Sequence, residues 1–240
     1  MKGRSVEGMC LLCGAHGPLS FEHVPPESAF NDEPIFIQNH NHLSDTQSNV
    51  YGKRMRSNRG FGGHTLCETC NNNTGAWYGK GFVEFARQGM SFLKSNGYLG
   101  YVQGDYRIKP LNVIKQIMTM FMSADKSGYL QSKKDIIDYL LNKESTAFPK
   151  DFKVFIYSNA SPHKRLLGYG VVYDPILGIQ KWSEINFEPF GYLLADKSGP
   201  AHPNMVDISL FGTLPYDEVR IVALTTVYLK VSSPIIGMYD

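Results

Sequence analysis

The sequence predicts an α+β protein: a small N-terminal module braced by cysteine pairs, then helices, then a C-terminal antiparallel β-sheet or partial barrel. Three observations carry this. The only four cysteines of the 240-residue chain fall in two close pairs, Cys10/Cys13 and Cys67/Cys70. From Thr74 to about residue 140 the apolar residues recur mostly at three- and four-residue steps, as buried helix faces require. Beyond Pro149 the pattern changes to alternation, the mark of half-buried strands. A break at Ser95-Asn96-Gly97, followed by Gly100 and Gly104, divides the chain into residues 1–96 and 97–240.

The cysteines come first because they constrain the most. A two-residue gap lets both sulfurs of a pair turn inward from one tight knuckle, and two knuckles make one closed tetrahedral zinc site. Such a four-thiolate site is structural, so any chemistry lies in what it holds in place. The competing reading is two reactive or merely buried thiol pairs. In a reducing compartment close pairs read as metal ligands more readily than as disulfides.

Along the chain, a Gly17-Pro18 turn leads into an extended run from Leu19 to Val24, which Pro25-Pro26 stops. His23 is then at a strand end. Residues 31–60 are rich in Asn, Ser, His and Asp without a period and read as a long loop. A helix is expected from Thr74, with Trp77, Tyr78, Phe82, Phe85, Ala86 and Leu93 on its buried face and glycines that imply close packing. Pro110 opens a second helix through Ala124, with Val113, Ile114, Ile117, Met118 and Phe121 apolar. Ser132 is read as the cap of a third, with Asp135 three residues on. About six strands follow, over residues 152–156, 167–173, 182–187, 190–194, 206–211 and 219–231.

Cys10-x-x-Cys13, then Glu22-His23-Val24-Pro25-Pro26, then Leu66-Cys67-Glu68-Thr69-Cys70-Asn71-Asn72 resembles the HNH endonucleases over roughly residues 8–80. That resemblance implies a ββα-metal core braced by the zinc knuckles. It implies that His23 is the general base, and that Glu22 and Asn71 bind a catalytic divalent cation, Mg²⁺ or Mn²⁺. The middle position of the motif falls in the stretch 58–65, where Asn58 and His64 are the candidates. The activity implied is hydrolysis of phosphodiesters, in DNA ahead of RNA. Residues 97–240 would select the target or contact a protein partner or a second copy of the chain. The layout is similar to that of phage-encoded or bacterial defence nucleases. A different class competes: a zinc-stabilised nucleic-acid-binding or interaction module without catalysis.

The chemistry suits these residue types. A neutral imidazole titrates near working pH and can accept a proton from water. Carboxylate and amide oxygens suit a hard cation. Because successive strand residues point to opposite faces, a regular strand cannot aim both Glu22 and His23 at one metal, and a bend is expected there. Each also has a plainer role, a strand-end ion pair for Glu22-His23 and a helix cap for Asn71.

A formal charge of +2 does not announce a nucleic-acid binder, but Lys53, Arg54, Arg56 and Arg59 crowd one loop free of acidic residues. They either meet phosphates or are simply solvated. His40 and His42 alternate in a polar loop and read as solvated, and Glu184, Asp207 and Asp217 have no motif around them. No apolar run is long enough to span a membrane, and Met1–Ser5 lacks a leader-like apolar stretch. The expected location is the cytoplasm.

Overall fold

The computed structural model describes residues 6–174, 178–196, 199–231 and 239, so the start Met1–Ser5 lies outside the described residues. Strands β1 (Val6–Met9), β2 (His16–His23) and β5 (Gly62–Cys67) form an antiparallel sheet in the order β1-β2-β5. β5 runs directly into α2 (Glu68–Thr74), a π-helical turn at Gly75–Gly79, and α3 (Lys80–Ser95). The predicted single helix is therefore three helical segments, and it starts before Thr74. Gly89 has the packing reason the sequence implied: a Cβ there would stand 2.2 Å from the Phe190 ring.

Residues 31–60 are not the structureless loop expected. They contain β3 (Ile35–Ile37) and β4 (Met55–Ser57), paired antiparallel, with the short helix α1 (His40–Ser44) between them. His42 is buried there, and its Nδ1 accepts the Asn39 amide at 3.3 Å.

The remainder is built on α4 (Pro110–Ala124), in which every residue is buried. Its limits are those read from the sequence. α5 (Lys134–Leu141) is present, but Ser132 does not cap it: the residue before the helix is Lys133, and the Ser132 hydroxyl donates to the Tyr129 carbonyl at 2.6 Å. Strands β7 (Lys153–Ser158), β8 (Arg165–Asp174), β9 (Gly178–Phe187), β10 (Phe190–Ala195) and β11 (Val206–Asp207) form one sheet, ordered β11-β7-β10-β9-β8, with all pairings antiparallel.

Two strand expectations need correction. Residues 206–211 are extended only at Val206–Asp207 and then form a 3₁₀ turn, Ser209–Thr213. The last run is β12 (Arg220–Val227), and it leaves the main sheet to pair with β6 (Tyr101–Ile108), which the glycines at 100 and 104 had concealed.

One continuous cluster of buried apolar side chains extends from Cys10 and Leu12 through Phe85, Ile117 and Phe121 to Phe190 and Leu224. Residues on both sides of position 97 contribute to it. Among the described residues, no helix is long and apolar enough to cross a membrane.

Candidate metal centre and adjoining cleft

The four thiols converge. Their sulfurs all lie within 4.8 Å of one another, with Cys13 and Cys67 at 3.9 Å. The first knuckle closes because Gly14, at φ +75°, turns its amide back to the Cys10 carbonyl at 2.9 Å, a conformation that favours glycine. Gln131 from the distant chain donates to the same carbonyl at 2.7 Å. The second knuckle is the β5–α2 junction itself, with Cys67 preceding the helix and Cys70 in its first turn. A hydrogen bond from Cys70 holds the Cys10 thiol down at about 4, and the same bond, with burial, pushes Cys70 up. The cluster thus readily carries a thiolate, and four sulfurs so placed can hold a metal such as zinc.

Beside this cluster lies an open cleft of about 500 Å³ whose lining includes Glu22, His23, Asn71, Lys80, Arg87 and Gln116. The three residues singled out from the motif are therefore neighbours on one concavity, brought there by β2 and α2. Asn71 reaches across to β2, its Nδ2 donating to Ser20 Oγ at 3.0 Å and to the Phe21 carbonyl at 3.2 Å. With the nitrogen so committed, Oδ1 is the atom left to accept.

Glu22 and His23 do not bend relative to one another. Both stay in the β2–β5 ladder, opposite Gly63 and Gly62, and the irregularity falls upstream between Ser20 and Phe21. Alternation therefore turns Glu22 inward and leaves His23 half-buried. The His23 ring packs edge-on against Phe21 at 5.0 Å, and His64 packs edge-on against the same Phe21 ring at 5.4 Å. Glu22 Oε2 accepts from Thr65 Oγ1 at 3.1 Å and from Ser123 Oγ of α4. Burial pushes this carboxyl up to about 7, although both hydroxyls favour its charged form.

The middle-position candidates are peripheral. Asn58 is exposed on the turn after β4, and His64 is exposed on β5. The residue that fastens the segment after His23 is Asn31, which the sequence reading passed over. It is 1% exposed, donates from Nδ2 to the carbonyls of Pro25 and Phe61, both at 2.7 Å, and accepts the Phe61 amide at 2.7 Å. Its only sequence signal was its place shortly after the paired prolines.

The basic loop is likewise only partly involved. Lys53, Arg54 and Arg56 are exposed and do not line the cleft; the Arg59 guanidinium lies 4.1 Å from the centre of the Phe21 ring, a lining residue. The cations on the cleft wall are Lys80 and Arg87 of α3, with Glu27 and Glu84 beside them. No protein-family model, curated protein or solved structure matches this chain.

Proposed function

We propose that the protein is a metal-dependent endonuclease of the HNH type, acting on DNA. The observation that carries this reading is that His23, Glu22 and Asn71 all line one cleft, next to a four-thiol cluster. Zinc at the thiols would be structural. Glu22 and Asn71 would hold Mg²⁺ or Mn²⁺; the donor set fits, because Asn71 keeps an oxygen available and a carboxylate accepting at Oε2 has a second oxygen. A divalent cation in such a site neutralises charge on the phosphoryl oxygens and on the leaving 3′ oxygen.

The protein's own residues do the rest. His23 accepts a proton from the attacking water through an imidazole nitrogen, its ring held in place by the edge contact with Phe21. Asn31 ties the chain just past His23 to Phe61 and so restrains the base from behind. Lys80 and Arg87 offer charge to the phosphates on either side.

A second reading draws support from one observation: Glu22 is enclosed and already bonded by two hydroxyls, as a purely structural carboxyl would be. That favours a zinc-stabilised binding module. One experiment separates the two. Supercoiled plasmid incubated with protein and Mg²⁺ or Mn²⁺ should be nicked, and His23→Ala should abolish nicking; a parallel incubation with RNA tests the sugar. Intact plasmid under every metal, with retardation on a gel retained, establishes the binding module instead.

A further inference from the structure

Helix α4 is enclosed along its whole length yet carries polar side chains at Asn112, Lys115, Gln116, Thr119 and Ser123. Steps of three and four put them on one face. A buried polar atom without a partner is destabilising, so each is expected to have one. Asn112 Nδ2 donates to the Trp77 carbonyl at 2.8 Å, and its Oδ1 accepts the Asp217 amide at 3.1 Å. Lys115 donates to the carbonyls of Asn142 and Lys143, Thr119 to the Lys115 carbonyl, and Ser123 to Glu22.

Gln116 is the exception. It is 4% exposed, and its Oε1 has no hydrogen-bond partner among the described residues. The hydroxyls of Tyr106 and Tyr169 are similarly placed, but neither lines the cleft. Gln116 does, together with Glu22, Asn71 and Thr74. Across from it, Gly79 of the π-helical turn has no side chain; a Cβ there would stand 3.9 Å from Oε1, and the glycine leaves the oxygen uncapped from that side.

An enclosed amide oxygen in a cleft that Glu22 and Asn71 also line is the donor type that hard divalent cations take. We propose that Gln116 Oε1 is a third protein oxygen for the cation assigned above to Glu22 and Asn71, so that a helix outside residues 1–96 completes the site. This rests on the nuclease reading.

The test is Mn²⁺ binding to the zinc-loaded, full-length protein, followed by the loss of the free-ion paramagnetic resonance signal. Gln116→Met, which keeps volume and removes the acceptor, should weaken Mn²⁺ by on the order of tenfold. Gln116→Glu should bind at least as tightly as the wild type. Without Mn²⁺, Gln116→Met should unfold at the same or a higher urea concentration, since no protein bond is lost. Unchanged affinity in Gln116→Met while Asn71→Ala loses it overturns the proposal and leaves the nuclease reading standing. A wild type without a saturable Mn²⁺ site, or with one indifferent to Asn71→Ala, overturns both. Loss of stability in metal-free Gln116→Met assigns the glutamine a structural bond and overturns the proposal alone.

Discussion

Asn31 and Lys115 show how much single buried polar groups decide in this molecule. Asn31→Ala would leave the Pro25 carbonyl and the Phe61 amide without their partner, while the Phe61 carbonyl keeps the Val24 amide, at a cost of about 2 kcal/mol or more. Urea unfolding of the variant should register that loss; an unchanged midpoint would show that water replaces the side chain. Lys115 is fully enclosed, its ammonium 2.7 Å from the Asn142 carbonyl and 4.3 Å from the centre of the Tyr139 ring. Burial still pulls its pKa down to about 7, with Glu144 offsetting only part of the effect, whereas the unfolded chain binds that proton near 10.5. The unfolded state therefore holds more protons between these values, and stability declines as pH falls from about 10 to about 7, then levels. Relative to Lys115→Met, the wild type should lose more than about 1 kcal/mol across that window. Parallel pH profiles for the two proteins would contradict the assignment.

At the scale of elements, the join between α2 and α3 positions most of the cleft. A π-helical turn widens the helix at Gly75–Gly79 and frees the Trp77 carbonyl, which Asn112 Nδ2 and the Tyr216 hydroxyl take up at 2.8 and 3.3 Å. The widened turn sets α2, with Asn71, apart from α3, with Lys80 and Arg87, while both still face one cleft. Further along, Gly89 lets α3 lie against β10. Helix propensity alone favours Gly89→Ala by about 1 kcal/mol. The added Cβ, however, would meet the Phe190 ring, which is fully buried and stacked on Phe85 at 4.7 Å. Overpacking of this kind costs about 1–3 kcal/mol, so thermal unfolding should occur at a lower temperature in the variant. A rise in melting temperature would mean that Phe190 moves aside freely.

Over the whole molecule, the thiol cluster and α4 tie the two halves together. Gln131 bonds the Cys10 carbonyl, Ser123 bonds Glu22, and one apolar cluster spans residues from Cys10 to Leu224. About one zinc per chain is expected by elemental analysis, given the single four-sulfur cluster among the described residues. Cys67→Ser should lose that zinc and unfold the sheet of β1, β2 and β5 together with the cleft, because the metal-binding free energy is folding free energy here. A variant that loses zinc but keeps its near-ultraviolet dichroism would relegate the metal to an accessory. A second buried tie sits in the large sheet, where Glu184 pairs with Arg165 at 2.5 Å and accepts the hydroxyls of Tyr157 and Tyr239, both at 2.7 Å. Nothing in the sequence around Glu184 marked it for this role.

What the sequence determined by itself was local: the cysteine knuckles, the strand ending in Glu22-His23, the α4 limits and the alternation past Pro149, because spacing and period are properties of neighbouring residues. Tertiary structure decided which polar groups matter. Asn31, Ser123 and Glu184 look ordinary in sequence, and their partners lie from 6 to 101 positions away. It also decided which face each strand presents, turning Glu22 inward against α4, and it moved β12 away from the large sheet to pair with β6. Those outcomes depend on long-range pairing and burial, whose free energies exist only once distant segments have met.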